Sequence, residues 1–209
     1  MHKWSGRLIM WVLVGSLLLA GHVRRAEAGE PQDKIRVTVD DVMDIIANKS
    51  LDAQQRRAQI RQVVLKRFGF DEMAQRSLGQ HWRTLTPQQQ KEFVELFTDL
   101  LERSYINRIE GYSGGRQGVR YTKEDISGDK AIVDTEIVSG RGEPAAVEYH
   151  LLHKDNDWKA YDIIIEGVSL VNNYRTQFNT VIMKDSYAGL VKQMRMKLEQ
   201  ENAASPRKG

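Results

Sequence analysis

Asp162 and Glu166 stand at either end of a run of three isoleucines in YDIIIEGVSLVNNYRTQF, residues 161–178. A carboxylate buried without a partner is costly, so each must be answered by a cation, by hydrogen-bond donors or by a reacting group. Asp162 beside the phenol of Tyr149 is the one pairing in the chain that supplies a base together with an oxyanion donor, the equipment of an isomerase or dehydratase. The structural alternative is that Arg175, in the following helix, meets Asp162 with two parallel hydrogen bonds and ties sheet to helix. Glu166, next to Gly167 and Ser169, suits exposed amides at a helix start. A satisfied structural carboxylate is the commoner case, so Asp162 and Arg175 are expected as an ion pair and no catalytic residue is assigned.

The remaining reactive types are sparse. His150 and His153 lie three apart on a strand and so point to opposite faces, which excludes joint chelation without a bulge. His81 beside Trp82 reads as a surface or helix-junction residue. No metal-ligand spacing occurs and no serine sits in a nucleophile elbow. GYSGGRQG, residues 111–118, lacks the strand-and-helix context of a phosphate loop. It reads as a plain solvated loop or as a hinge at a pocket mouth, with Arg116 and Arg120 available to a phosphate headgroup. With no cysteine in 209 residues, thiolate catalysis, iron-sulfur clusters and a lipidated cysteine anchor are all ruled out.

These residues have to be positioned by elements legible from periodicity. Val42, Ile45 and Ile46 have helical spacing from Thr38 or Asp40 to about Asn48. A second helix follows from Asp52 with Ile60, Val63 and Val64 inside. A third is capped by Asp71 and stopped by Gly79. Thr86-Pro87-Gln88-Gln89 combines a cap hydroxyl, proline at the first helical position and a capping-box glutamine, so a long helix starts there and runs to Gly111. The period then changes to 2 in VRYTKEDI, KAIVDTEIVS, AAVEYHLLHK and WKAYDIIIE, separated by turn chemistry. Two helices close the chain, one from about Ser169 to Lys184 and one capped by Asp185. A turn on Asp155-Asn156 sets Tyr149 opposite Asp162 and Val147 opposite Ile164. The fold class expected from these periods is α+β: a four-stranded antiparallel meander with about six helices.

Residues 1–28 have a basic start, an apolar run over residues 8–20 and Ala26-Glu27-Ala28 as a cleavage site, the layout of a secretory signal peptide. A membrane anchor is the alternative, and Arg24-Arg25 is untypical of a cleavable leader, but the run falls short of the roughly 20 residues a span needs. Cleavage after Ala28 removes Lys3, Arg7, Arg24, Arg25 and Glu27 from totals of 31 basic and 28 acidic residues, leaving 27 of each. The remainder, expected as one domain over 29–200 with a loose tail 201–209, has no electrostatic footprint for nucleic acid.

WKAYDIIIEGVSLVNNYRTQF, FDEMAQRSLGQHWRTLTPQQQKEFVELFTDLLERSY and VEYHLL together resemble the MlaC family, the periplasmic phospholipid-binding component of the Mla intermembrane lipid-transport system, also labelled toluene-tolerance auxiliary proteins. The most specific parts are Phe70-Asp71 through Leu78-Gly79 to Trp82, then Trp158-Lys159, Asp162, Glu166-Gly167-Val168-Ser169 and Tyr174-Arg175 with Phe178. The resemblance implies a soluble periplasmic carrier that maintains outer-membrane asymmetry and moves phospholipid between an inner-membrane ring of MCE-domain and ABC transporter subunits and an outer-membrane lipoprotein complex. It implies no cofactor besides the lipid cargo. One branch of the family is associated with hopanoid gene clusters, which leaves a hopanoid-related lipid open.

The resemblance implies a curved antiparallel sheet wrapped by helices, an NTF2-like cone with an apolar pocket, and the acyl chains are expected between the long helix (Phe97, Leu101, Tyr105) and a sheet face of Val133, Ile137, Val147, Tyr149, Leu151, Trp158 and Ile164. Spacing alone favours a filled core, since interiors pack without large voids. The resemblance is what favours a pocket. An enzyme built on the same cone, and an envelope adaptor that binds only protein partners, are the alternatives.

Overall fold

The computed structural model describes residues 29–111, 115, 118–138 and 143–204. The expected leader, Arg116 and the last residues of the tail lie outside the described residues. Helix α1 (Glu30–Ala47) begins well before Thr38, because Pro31 stands in its first turn and Glu30 and Asp33 meet the positive end of the helix. Ile35, Val39, Val42 and Met43 continue its apolar stripe. Helix α2 (Ala53–Arg67) starts behind Asp52, whose carboxylate accepts from Gln55 N at 2.8 Å while Gln55 Oε1 accepts from Asp52 N at 3.2 Å. Helix α3 (Phe70–Leu78) follows Gly69, so Asp71 lies in its first turn and is not its cap. Gly79 stops it at φ 56°, and a 3-10 helix (Gly79–Thr84) leads on. Helix α4 (Pro87–Glu110) carries the expected reciprocal box between Thr86 and Gln89.

Five strands form one open antiparallel sheet in chain order: β1 (Val119–Ser127), β2 (Lys130–Ile137), β3 (Ala145–Lys154), β4 (Asp157–Ile165) and β5 (Val168–Ser169). This open meander stands where four strands and an NTF2-like cone were expected. Strand β5 is too short to show alternation. It exists because Glu166 (φ 50°) and Gly167 (φ 76°) make a two-residue turn with both residues left-handed, as Asp155 and Asn156 do between β3 and β4. Among the described residues there are five α-helices where about six were expected. The two closing helices are one element, α5 (Leu170–Ala204), broken at Ser186 (φ 73°, ψ 171°). The hydroxyl of Ser186, and not Asp185, accepts from Gly189 N beyond the break. A side chain at Gly189 would bring its Cβ to 2.7 Å from that of Asp185.

The hairpin register is as expected from Lys154–Asp157 to Leu151–Ala160, and then shifts. Tyr161 is an extra residue on β4, a bulge that turns the rest of the strand over. Tyr149 therefore faces Ile163, Val147 faces Ile165, and Asp162 faces His150 on the other side of the sheet.

The buried residues form three separate clusters. Phe93, Phe97, Tyr174 and Phe178 join α3, α4 and α5 through edge-on ring contacts such as Phe93–Phe178 at 5.6 Å. Ile35 of α1 packs on Val133, Leu151, Trp158 and Ala160 of the sheet. Val42, Ile60 and Ile106 bring α1, α2 and α4 together.

Candidate functional site

A cavity of about 390 Å³ lies where the three clusters meet without merging. Val147 and Tyr149 of β3, Ile163 and Ile165 of β4 and Ile137 of β2 form one wall. Ile35, Val39, Val42 and Met43 of α1 with Ile60, Val64 and Leu65 of α2 form another. Leu101, Tyr105, Ile106 and Ile109 of α4 complete it, with Phe68, Phe70, Met73 and Leu170 at the end. A domain ordinarily gathers its apolar side chains into one contiguous core. Here the interior is divided and the space between is bounded by hydrocarbon.

Most of the few polar groups in that lining are occupied. Thr38 and Thr98 turn their hydroxyls back to the carbonyls of Lys34 (2.8 Å) and Val94 (2.7 Å) in their own helices. Arg61 is paired with Asp99 at 3.0 Å and with Glu102. Burial, against a hydrogen bond with Thr135, pushes the Tyr149 phenol up to about 12, so it stays neutral. Burial likewise raises the pKa of Tyr105, although Arg108 pulls the other way. What the cavity offers is shape and apolar surface.

Of the residues expected to contact acyl chains, Leu101, Tyr105, Ile137, Val147 and Tyr149 line the cavity. Phe97 is consumed in the aromatic cluster, and Val133, Leu151 and Trp158 in the sheet–α1 cluster. Ile164 is a correction: the Tyr161 bulge turns it off the cavity face, opposite Glu148, and Ile163 and Ile165 take its place. Sequence reasoning missed the contribution of α1 and α2, although the stripe Ile35, Val39, Val42, Met43 has plain helical spacing.

The Asp162–Arg175 ion pair is a second correction. Asp162 Oδ1 accepts from Val171 N (3.0 Å) and Ile163 N (2.9 Å), and Oδ2 accepts from the Ser169 hydroxyl (2.6 Å), whose oxygen accepts in turn from Asn172 N (3.0 Å). The carboxylate thus caps the positive end of α5 from the sheet. Arg175 donates instead to the carbonyl of Arg76 at 2.8 Å. Glu166 does bind an amide, but that of Ala146 on β3 at 2.6 Å and not one of the helix. With Tyr149 and Asp162 on opposite faces, the base-and-donor pairing an isomerase would need is not formed. His150 lies 3.5 Å from Glu148, His153 stacks near Trp158, and no cluster among the described residues is arranged to hold a metal. Arg120 is taken up by Glu136 at 2.7 Å.

The family model for MlaC protein matches residues 36–196. Over 171 residues the chain is 24% identical to the intermembrane phospholipid transport system binding protein MlaC of Haemophilus influenzae, a match covering 78% of this chain and 77% of that one. It is 27% identical over 103 residues to the toluene tolerance protein ttg2D of Pseudomonas putida, about half of each chain at 49% and 47%. The solved structure of the phospholipid-binding protein from Ralstonia solanacearum, in complex with a phospholipid, is similar with a TM-score of 0.73 at 29% identity, covering 83% of this chain and 99% of that one. A family match across most of the chain, on a fold that keeps an apolar hollow open, leads to one conclusion: the chain belongs to the MlaC family.

Proposed function

We propose that the chain is a periplasmic phospholipid carrier that holds acyl chains in the cavity between sheet and helices while the lipid crosses water. The observation that carries this reading is the hollow itself, about 390 Å³ walled by hydrocarbon and within the ~300–1,000 Å³ usual for ligand sites. A diacyl lipid in water needs on the order of 20 kcal/mol of shielding at ~0.8 kcal/mol per methylene, which apolar walls supply without any charged trap. The likeness to a protein solved with phospholipid bound supports the cargo class. Among the described residues no helix is long and apolar enough to cross a membrane. Export through residues 1–28, with cleavage after Ala28, brings the carrier to the periplasm. There an inner-membrane MCE-domain and ABC transporter complex and an outer-membrane lipoprotein complex are its exchange partners.

The test is to purify the protein from the periplasm, extract it with organic solvent and identify lipids by mass spectrometry. About one phospholipid per chain is expected. A protein that folds and yields no lipid refutes the carrier reading and favours an adaptor. A small non-lipid product held in its place favours an enzyme.

A further inference from the structure

The cavity walls cannot answer a ligand's charge, so any polar head must be met at the rim. Among the described residues, three charged side chains reach the lining: Arg61, Glu102 and Arg108. The first two neutralise each other, with Asp99 as a further partner of Arg61. Arg108, in the last turns of α4, is exposed and makes no ion pair with any described residue. Its guanidinium lies over the ring of Tyr105 at 5.5 Å from the centroid, which holds the cation beside a wall of the hollow.

We propose that Arg108 is the headgroup-recognising residue, binding the phosphate of a phospholipid whose acyl chains occupy the cavity. This rests on the carrier reading. A guanidinium presents paired N–H donors that match phosphate oxygens, so it distinguishes a lipid bearing a phosphate diester from one with the same chains and no phosphate. A cation in the last turn of a helix also favours the helix dipole, but that role confers no choice between ligands.

Delipidated full-length mature protein is incubated with vesicles containing equal amounts of phosphatidylethanolamine and diacylglycerol of identical chains, re-isolated, and its lipids quantified by mass spectrometry. The wild type is expected to take phosphatidylethanolamine over diacylglycerol by roughly tenfold, the low end for a charge-assisted hydrogen bond at a wet rim. Arg108→Gln brings that ratio close to one without reducing diacylglycerol uptake, and Arg108→Lys restores part of it. An unchanged ratio in Arg108→Gln overturns the assignment while leaving the carrier reading intact. Uptake of neither lipid by either protein overturns both. Calorimetric binding of inorganic phosphate that depends on Arg108, with the lipid ratio unmoved, marks a free-anion site and overturns the headgroup role.

Discussion

Replacing Asp162 by asparagine tests the joint between sheet and helix most directly. The carboxylate receives three hydrogen bonds, from Ser169 Oγ at 2.6 Å, Ile163 N at 2.9 Å and Val171 N at 3.0 Å. Asparagine retains one oxygen, which can still serve the two amides, but turns an NH2 toward Ser169. The hydroxyl proton then loses its acceptor, because an amide NH2 only donates; the Ser169 oxygen, which accepts from Asn172 N, can at most take a weaker neutral bond in exchange. A hydrogen bond to a charged group is worth about 1.5–3 kcal/mol, and a carboxylate at a helix start adds about 0.3–1 kcal/mol. The expected loss is therefore about 2–3 kcal/mol, a large share of the ~5–15 kcal/mol typical of a domain. In urea unfolding followed by far-UV circular dichroism this lowers the midpoint by about 1 M at unchanged slope. Arg175→Gln serves as the control: its donor meets only the Arg76 carbonyl at an exposed position, so it costs under about 1 kcal/mol. If Asp162→Asn leaves the midpoint unmoved, or if Arg175→Gln costs as much, the joint is not built as described.

The stability of the protein depends on acid through Asp157. Partial burial raises its pKa, but hydrogen bonds and charge from Arg67 and Lys159 prevail and hold it at about 2, below the ordinary 3.8. A depressed carboxylate contributes stability above its unfolded pKa and loses it as pH falls through the folded one. Unfolding midpoints measured between pH 5 and pH 2 should therefore drop for the wild type across about pH 4 to 2, and Asp157→Asn should flatten that window by about 1 kcal/mol after solvent screening. Val64→Trp, which drives bulk into the cavity from α2, should leave the fold intact by circular dichroism and empty the protein of extractable lipid; a full lipid complement would show that acyl chains lie elsewhere. Ion pairs link α2 to α4 beside the cavity, Arg57 with Glu110 and Arg61 with Asp99 and Glu102. Each such pair is worth about 0.2–1 kcal/mol, so Arg61→Ala or a rise in salt should speed fluorescent-lipid exchange several-fold. Rates indifferent to both would exclude a polar latch.

Helix boundaries were legible where local chemistry fixes them. Thr86-Pro87-Gln88-Gln89 forms the reciprocal box its spacing implies, and the helix start expected at Asp52 is fixed by that residue's exchange with Gln55, because a cap is settled within four residues. Strand faces were legible only up to the first bulge. Counting outward from Asp155-Asn156 is correct to Ala160, and one extra residue at Tyr161 then exchanges Ile164 for Ile163 and Ile165 and moves Asp162 to the other face. No local signal marks that bulge: a tyrosine in a strand is ordinary, and the insertion is decided by what the two sides of β4 must pack against. The partner of Asp162 was misread for a related reason. A carboxylate suggests a cation, whereas the turn at Glu166-Gly167 and the short β5 bring a helix start within reach, and its amides answer the charge at shorter range.

The divided interior explains how a chain without disulfides keeps a hollow open. At ~24 cal/mol per Å³, an apolar void of about 390 Å³ carries up to about 9 kcal/mol of lost packing, an upper bound because the mouth admits solvent. Such a cost would favour collapse if the surrounding walls could move together. They are held apart by groups that take no part in the lining. Phe93, Phe97 and Phe178 fix α4 against α5, Trp158 and Leu151 fix the sheet under α1, and the Asp162–Ser169 cap fixes the angle at which α5 leaves the sheet. Each is anchored away from the cavity, so the walls are rigid where they meet one another and bare where they face the space between. A hydrocarbon chain entering that space restores the missing contacts and stabilises the fold in proportion to what the empty state lacked. On the carrier reading a bound lipid would complete the core, and its release would require something outside the protein to offer the chains an equally apolar home.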